Sequence, residues 1–366
     1  MTAKQPHPHS SNKENQLRLV AWETTRNCNL ACVHCRASAT RGPHRDELGT
    51  EEALHLLDQI AEVGKPIIIL TGGEPLLRAD IFEIARYGTD LGMRMVMALN
   101  GTLITEKVAR QLADAGIQRI SVSLDGSGPE THDRFRQVKG AFEGTLKGIG
   151  LLKKAGLDFQ INTTITKTNL DQIPKIQQLA VDLGAVAHHI FLLVPTGRGK
   201  YIVDQEIDAA EYESTLNWFY DQREKTPLQL KATCAPHYYR ILRQRAKEDG
   251  LNVSFQTHGL DAVTRGCLGG IGFCFISHRG IVQPCGYLDL NSGNVRQTSF
   301  AEIWRHSDIF LKLRNYDKLT GKCGLCEYKR VCGGCRARAY EATGDFMSEE
   351  PLCSYQPRKK AAADPK

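Results

Sequence analysis

The chain has 366 residues and a mass of 40.7 kDa, with 41% hydrophobic and 24% charged residues, which is typical of a globular protein with a sizeable core. No run approaches the ~18 apolar residues of a membrane-spanning helix, and the first 16 residues have no apolar segment of a secretory signal. The net charge of +6 is compatible with an anionic substrate, but no dense Lys/Arg run with interleaved aromatic residues indicates nucleic-acid binding. We therefore expect a cytoplasmic protein that binds neither membranes nor nucleic acids.

Six β-rich runs alternate with amphipathic segments of helical spacing. The predicted strands are Leu17–Thr25, Pro66–Leu70, Met93–Leu99, Arg119–Leu124, Phe159–Thr166 and His188–Val194. The predicted helices are Glu51–Val63, Ala79–Leu91, Glu106–Ala115, Ala141–Ala155 and Leu170–Leu183. This alternation favours parallel βαβ units. A partial (β/α)6 barrel is the simplest α/β arrangement, and an open doubly wound sheet is the alternative.

The composition changes near residue 225 and divides the chain into two parts. Residues 17–225 form the predicted barrel, and residues 226–356 hold a linker helix, HYYRILRQRAKE, followed by a Gly- and Cys-rich domain. Residues 1–16 and 357–366 are polar and are expected to be disordered tails. Because the second part has little apolar periodicity, we expect metal clusters to stabilise it.

Three of the 12 cysteines lie on one segment after the first strand, with the spacing Cys28-x3-Cys32-x2-Cys35. Clustered cysteines in a reducing compartment are more often metal ligands than disulfides. A [4Fe–4S] cluster normally takes one thiolate per iron. Three thiolates therefore leave one iron free to bind a substrate or cofactor. A zinc knuckle with a distant fourth ligand is the alternative.

Conspicuous residues also follow the next three predicted strands. Gly72-Gly73-Glu74-Pro75 follows the second strand, Asn100-Gly101 the third, and Asp125-Gly126 the fourth. Paired glycines allow a ligand to approach the backbone, and the Glu74 carboxylate can pair with an ammonium group. Since chemistry in (β/α) barrels lies at the carboxyl ends of the strands, we expect one site at this edge.

Eight further cysteines occupy the last hundred residues and could fill two closed four-thiolate clusters. They are Cys267, Cys274, Cys285, Cys323, Cys326, Cys332, Cys335 and Cys353. One or two structural zinc sites are the alternative. Cys234 is left over, either as a buried thiol or, with His237, Tyr238 and Arg240, near a substrate pocket.

The cysteine loop and the GGEP segment together resemble the radical S-adenosylmethionine (SAM) superfamily over about Leu17 to Val194. The resemblance implies that Cys28, Cys32 and Cys35 ligate a [4Fe–4S] cluster whose open iron is chelated by the methionine moiety of SAM. The expected SAM contacts are Gly72, Gly73 and Glu74 with the amino group, Ser123 and Asp125 with the ribose, Arg136 with the carboxylate, and Asn162. His34 stands where the family usually has an aromatic residue.

The carboxyl-terminal cysteines resemble the SPASM extension of radical SAM enzymes, including the step from Gly280 to Cys285. That resemblance implies one or two auxiliary [4Fe–4S] clusters. The first would be held by Cys267, Cys274, Cys285 and Cys335, and the second by Cys323, Cys326, Cys332 and Cys353.

Four longer stretches resemble the heme-modifying branch of the superfamily, and most closely the SAM-dependent heme synthases. They are RLVAWETTRNCNLACVHCRA, AHHIFLLVPTGRG, KATCAPHYYRILRQRA and VCGGCRARAYEATGD. This implies a radical SAM oxidoreductase that converts two propionates of iron-coproporphyrin III to vinyl groups, giving protoheme and CO2. It also implies a low-potential electron donor such as a flavodoxin or ferredoxin.

Three alternatives remain open. The first is a sister enzyme of the heme pathway, such as didecarboxysiroheme deacetylase or a heme d1 precursor enzyme. The second is a SPASM peptide-modifying enzyme. The third is a non-catalytic iron–sulfur carrier or zinc module, which would not need the GGEP and SVSLDG segments. His188 and His189, at the start of the sixth predicted strand, either pack in the core or supply an axial ligand to a substrate metal.

Overall fold

The computed structural model describes residues 15–358, so most of both expected tails lies outside the described residues. The strands are β1 (Leu19–Thr25), β2 (Ile67–Gly72), β3 (Arg94–Leu99), β4 (Ile120–Ser123), β5 (Phe159–Ile165), β6 (Ala187–Leu192), β7 (Gln229–Thr233), β8 (Phe273–Ile276), β9 (Ile281–Gln283) and β10 (Gly293–Asn294).

The α-helices follow the same alternation in the first part of the chain and become short after residue 250. They are α1 (Thr50–Val63), α2 (Ile81–Asp90), α3 (Glu106–Asp114), α4 (Pro129–Arg136), α5 (Ala141–Lys154), α6 (Ile173–Leu183), α7 (Ala209–Asp221), α8 (His237–Glu248), α9 (Phe255–His258), α10 (Leu260–Val263), α11 (Phe300–His306), α12 (Asp308–Arg314), α13 (Gly321–Leu325) and α14 (Arg336–Thr343). Short 3₁₀ segments lie at Pro75–Leu77, Leu170–Gln172, Gly197–Gln205 and Tyr316–Lys318. No helix within residues 15–358 is long and apolar enough to span a membrane.

All ten strands belong to one open sheet in the order β10-β9-β8-β1-β2-β3-β4-β5-β6-β7. The six predicted strands are confirmed, and β1 to β7 pair in parallel in chain order. The five predicted helices and the HYYRILRQRAKE helix are also confirmed. The fold is therefore the expected α/β architecture in an open form.

Four strands extend this sheet beyond the six that the sequence predicts. Strand β7 joins the β6 edge, while β8 pairs in parallel with β1 and is followed by antiparallel β9 and β10. The proposed division near residue 225 therefore does not coincide with an end of the sheet. These strands were missed because they have two to five residues, too few to show a periodicity.

The two faces of the sheet differ in polarity. One face is apolar and fully buried, and helices α2, α5 and α6 pack against the strands there. Its side chains include Val20, Ile68, Met95, Ile120, Ile161 and Ile190. The opposite face is partly exposed and polar along β4 to β7, where it presents Ser121, Ser123, Asn162, Thr164, His189 and Lys231. We call this second surface the inner face.

The sheet curls around the inner face. Arg119, just before β4, donates from Nη1 to the Gln229 side-chain oxygen on β7 at 3.2 Å, although β5 and β6 lie between these strands. Such a contact requires strong curvature, as expected of a partial barrel. The inner face is therefore concave.

The packing of α5 against the loop after β3 predicts opposite effects at two glycines of one helix. A Cβ on Gly148 would lie 2.1 Å from the Gly101 carbonyl oxygen, whereas a Cβ on Gly150 would meet nothing within 4 Å. We expect Gly148→Ala to destabilise the fold by ~1–3 kcal/mol through overpacking. Gly150→Ala should stabilise it by ~0.5–1 kcal/mol through helix propensity. Thermal unfolding of both variants measures the difference, and equal unfolding temperatures would contradict this packing.

Candidate functional site

The cysteine loop connects β1 to α1 and begins after a register shift between Glu23 and Thr25 in the β1–β2 pairing. The end of α4 supports one side, since Ala31 N donates to the Arg136 carbonyl at 3.2 Å and Val33 N to that of Phe135 at 2.9 Å. The loop is thereby anchored between the sheet and α4.

Arg198 holds the other side of the loop. Its Nε donates to the Cys32 carbonyl and its Nη1 to the Ala39 carbonyl, each at 2.7 Å. Its backbone N–H donates to the Cys35 carbonyl at 3.0 Å. The sequence reasoning did not identify Arg198, because nothing in its local pattern links it to a loop more than 160 residues away.

Each sulfur of the loop accepts one N–H hydrogen bond. Leu30 N donates to Cys28 at 3.4 Å, Arg136 Nη1 to Cys32 at 3.5 Å, and Ala39 N to Cys35 at 3.4 Å. Burial raises the pKa of Cys28 to about 11 and also raises that of Cys32, although these donors oppose the shift. Metal coordination deprotonates such a thiol outright, and hydrogen bonds to sulfur tune iron–sulfur clusters. The donor set thus fits a cluster.

The glycine pair brings the end of β2 against the start of this loop. Gly73 N donates to the Thr25 carbonyl at 2.7 Å, and Glu74 N to the Asn27 carbonyl at 2.8 Å. A Cβ on Gly72 would lie 2.4 Å from the Thr25 carbonyl oxygen, and one on Gly73 only 2.3 Å from that of Asn27. These contacts require glycine at both positions.

The Glu74 carboxylate is fully buried next to the cysteine loop. One of its oxygens accepts from Asn100 N at 2.8 Å and the other from Leu76 N at 3.3 Å. Burial raises the pKa of Glu74 to about 7, although these two donors oppose the shift. Glu74 therefore joins the ends of β2 and β3, and its expected contact with the SAM ammonium remains a proposal.

Asp125 and Arg136 form a buried ion pair beneath the cysteine loop. Arg136 Nη2 donates to Asp125 Oδ2, and Thr164 N donates to Oδ1 at 2.8 Å. Burial alone would raise the pKa of Asp125, but the Arg136 guanidinium and then His34 hold it below its ordinary value. Since Arg136 also reaches the Cys32 sulfur, the pair connects β4 to the loop. The expected ribose and carboxylate contacts of these residues remain proposals.

Three buried nitrogen atoms near the loop have no hydrogen-bond partner within residues 15–358. They are His34 Nδ1, His132 Nε2 and Arg136 Nε. His34 lies 3.7 Å from Asp125 and contacts Phe135 with ring centroids 5.3 Å apart. Burial lowers the pKa of His34 to about 4. Unpartnered polar atoms of this kind are costly, and a bound polar ligand would satisfy them.

The other two predicted SAM contacts are neighbours across adjacent strands. Ser123 on β4 pairs in register with Asn162 on β5, so both side chains lie on the inner face. Asn162 Oδ1 accepts from Gln160 Nε2 at 2.9 Å. The expected SAM residues therefore lie at the carboxyl edge of the sheet, on the adjoining inner face or, for Arg136, at the end of α4 beside the cysteine loop.

The carboxyl-terminal cysteines fall into two groups. The first lines one cleft and consists of Cys323, Cys326, Cys332 and Cys353. Gly334 N donates to the Cys332 sulfur at 3.5 Å, and Glu350 N to the Cys323 sulfur at 3.4 Å. These are the four cysteines expected to hold the second cluster, and that ligand set remains a proposal.

The second group contains Cys267, Cys285 and Cys335 but not Cys274. Cys285 and Cys335 pack in one small buried cluster of side chains, and the charges of Cys267 and Cys335 lie close enough to raise the pKa of Cys285 beyond the effect of burial. Cys274 on β8 is instead fully buried in the main apolar core, in register with Val20. The assignment of Cys274 to a cluster is therefore corrected, because this strand directs it away from the other three thiols.

Among the described residues, no three His, Cys, Asp or Glu side chains surround a single metal position. A cube of four irons separates its thiolates more widely than a single ion does. The evidence that these cysteines can hold [4Fe–4S] clusters therefore comes from the hydrogen bonds to their sulfur atoms and from the way the cysteines group.

Comparison with known proteins identifies the family. Residues 22–180 match the radical SAM superfamily, and residues 267–335 match the SPASM iron–sulfur cluster-binding domain. The chain is 60% identical to the AdoMet-dependent heme synthase of Oleidesulfovibrio alaskensis, over 95% of this chain and 90% of that one. It is 57% identical to the AdoMet-dependent heme synthase of Methanosarcina barkeri, over 94% and 99%. The chain belongs to the SPASM-containing heme-biosynthesis branch of the radical SAM superfamily.

A more distant relative and a solved structure complete the comparison. The Fe-coproporphyrin III synthase of Methanosarcina barkeri is 33% identical over 92% of this chain and 87% of its own. Streptococcus suis SuiB bound to S-adenosylmethionine has the same fold, with a TM-score of 0.71 at 15% identity over 93% of this chain and 76% of its own. The protein is thus a radical SAM enzyme with a SAM-binding [4Fe–4S] cluster and auxiliary clusters.

The position of Glu74 leads to a binding prediction. A hydrogen bond to a charged group contributes ~1.5–3 kcal/mol, so Glu74→Ala should weaken SAM binding ~10- to 100-fold at ~1.4 kcal/mol per decade. The SAM-cluster iron should be retained, because the three cysteines are unchanged. Equilibrium SAM binding measures the effect, with Glu62→Ala on the exposed face of α1 as the control. Unchanged SAM affinity would assign Glu74 only a structural role.

The cysteine loop leads to a second prediction. Replacing Cys28, Cys32 and Cys35 together with alanine should abolish reductive formation of 5′-deoxyadenosine. The protein should stay folded and keep its auxiliary iron, since the two carboxyl-terminal groups are untouched. Anaerobic incubation with SAM and dithionite, followed by product quantification, tests this. Continued 5′-deoxyadenosine formation would show that another group binds and cleaves SAM.

Proposed function

We propose that this enzyme oxidatively decarboxylates the two propionates on rings A and B of iron-coproporphyrin III to vinyl groups, forming protoheme and two CO2. The supporting observation is that the chain is much more similar in sequence to heme synthases than to an Fe-coproporphyrin III synthase. The chain is 57–60% identical to two heme synthases over nearly its full length but only 33% identical to an Fe-coproporphyrin III synthase over a similar span.

The reaction removes one hydrogen atom, one CO2 and one electron from each propionate. The cluster and SAM, when bound, supply the radical that abstracts hydrogen from the carbon β to the carboxylate. The bond to the carboxylate carbon then breaks, CO2 leaves, and the remaining carbon pair becomes the vinyl group. One electron is left over, and an auxiliary [4Fe–4S] cluster held by the carboxyl-terminal cysteines would accept it. A flavodoxin- or ferredoxin-type donor would supply the electron that starts each cycle.

The inner face is the proposed porphyrin site. It is concave and partly exposed, and it adjoins the edge where the cysteine loop lies. Cations gather on or beside it: Lys231 lies on β7, Arg119 precedes β4, and Arg94 begins β3. Burial, followed by the nearby Arg94 charge, lowers the pKa of Arg119 although Asp158 opposes this shift, which indicates that Arg94 and Arg119 lie close together. Propionate carboxylates would relieve their repulsion.

His188 and His189 occupy opposite faces of the sheet, and we propose a different role for each. His188 is buried on the helix-covered face and lies 3.0 Å from Thr163 Oγ1, so it packs in the core. His189 lies on the inner face, with Nδ1 at 2.8 Å from Gln160 Nε2. Burial and then Lys231 lower the pKa of His189 to about 3, so its imidazole is neutral at pH 7. A neutral imidazole is the form that ligates iron, and His189 is therefore our proposed axial ligand to the substrate.

The function is tested by the products. With SAM and a reductant under anaerobic conditions, iron-coproporphyrin III should be consumed and protoheme should accumulate through a monovinyl intermediate with three propionates. One 5′-deoxyadenosine should form per propionate removed, because vinyl formation does not return the hydrogen atom. Mass spectrometry counts the CO2 losses.

Two outcomes would contradict the proposal. Inert iron-coproporphyrin together with loss of acetate groups from didecarboxysiroheme would identify a sister enzyme of the heme pathway. SAM cleavage without reaction of any porphyrin would favour a peptide substrate.

A further inference from the structure

Cys234 is the cysteine that the sequence left unassigned, and it lies directly after β7. Its backbone carbonyl accepts from Tyr212 Oη at 3.1 Å and from Arg338 Nη2 at 3.3 Å. Its φ of 56° is in the left-handed region, which a non-glycine residue keeps only when its surroundings hold it there. Cys234 is therefore held in one position by α7, which carries Tyr212, and by α14, which carries Arg338.

The contacts of α14 connect Cys234 to Cys335. Arg338, the third residue of α14, pairs through Nη1 with both Glu350 oxygens at 3.2 and 3.3 Å. The Glu350 Oε2 atom also accepts from Cys335 N at 2.6 Å. One buried guanidinium–carboxylate pair thus bonds to the backbone of both cysteines and keeps them together.

The surroundings of the Cys234 side chain contain three other thiols. Cys234 and Cys285 pack against the same buried cluster that contains Cys335, Val194 and Leu288. Cys267 lies beside them, because its N–H donates to the Cys332 carbonyl at 3.2 Å and a Cβ on the nearby Gly269 would lie 3.7 Å from the Cys285 Cβ. Four thiols near one another would repel as thiolates unless a cation lay among them.

We propose that Cys234, Cys267, Cys285 and Cys335 are the four thiolate ligands of one auxiliary [4Fe–4S] cluster. Cys274 is then an ordinary apolar core residue. The inference rests on the auxiliary clusters of the family and not on which porphyrin reacts. It also means that this cluster is closed, because each of its four irons has a protein thiolate.

This cluster adjoins the SAM cluster loop. Arg36, next to Cys35, donates from Nη1 to the carbonyl of Gly286, next to Cys285, at 3.4 Å. Tyr287, which is half-buried, packs against the same small cluster of side chains as Cys234 and Cys285. Of the two auxiliary groups, this one is placed to accept the electron that the proposed reaction leaves behind.

The test uses the full chain with Cys28, Cys32 and Cys35 replaced by alanine, so that only auxiliary clusters contribute iron. Cys234→Ala is added in one variant and Cys274→Val, a change of similar volume, in the matched control. Iron and sulfide are quantified after anaerobic reconstitution, and electron paramagnetic resonance is recorded after mild oxidation. Circular dichroism confirms that both variants are folded.

We expect Cys234→Ala either to lose about half of the auxiliary iron or to show a [3Fe–4S] signal from a cluster with three thiolates. Cys274→Val should have the same iron content and the same electron paramagnetic resonance spectrum as the parent variant that lacks only Cys28, Cys32 and Cys35. Full iron without a [3Fe–4S] signal in Cys234→Ala would overturn the assignment, as would loss of iron in Cys274→Val. Because variants without the three loop cysteines are not expected to catalyse any reaction, neither outcome depends on the proposed reaction.

Discussion

The buried Arg338 guanidinium joins the curved sheet to the cysteine-rich part of the chain. It donates to the carbonyls of Leu193 and Cys234, which follow β6 and β7, and it pairs with Glu350 and Glu206. A buried guanidinium is stabilised only when its donors are satisfied, and removal of one partner is costly. Although burial opposes ionisation, Arg338 keeps the pKa of Glu350 below its ordinary value. This charge pair therefore sets where the carboxyl-terminal cysteines lie relative to the sheet edge.

A second buried charge network surrounds Glu23 at the end of β1. It also holds the carboxyl-terminal part of the chain against the sheet. Glu23 accepts from Arg36 at 2.8 Å and lies 2.7 Å from His278 Nδ1, which follows β8. Burial opposes its ionisation, but Arg36 and His278 bring the pKa of Glu23 down to about 2. Since Arg36 also reaches Gly286, the SAM cluster loop and an auxiliary cysteine loop are held against each other. The two one-electron steps of the proposed reaction thus have neighbouring sites.

The sequence predicted the parts of this arrangement that depend on local pattern. Strands β1 to β6, their helices and the row of functional residues at one edge follow from periodicity and turn residues. The burial of Cys274 in the main core could not be foreseen, because spacing does not say which face of β8 a cysteine occupies. Similarly, no local pattern indicates that the backbone N–H groups of Leu76 and Asn100 both donate to the Glu74 carboxylate. Arg198 and Arg338 act over long sequence separations and leave no local signal.

The central claim is that the chain presents one open iron, on the loop of Cys28, Cys32 and Cys35, beside fully ligated auxiliary clusters. Mössbauer spectroscopy of the iron-loaded enzyme with and without SAM tests it most directly. With two auxiliary clusters, SAM should shift the signal of a single iron site, roughly one twelfth of the total. The variant lacking the three loop cysteines should show no shift. A SAM-dependent shift that persists in that variant, or that involves auxiliary iron, would contradict the account.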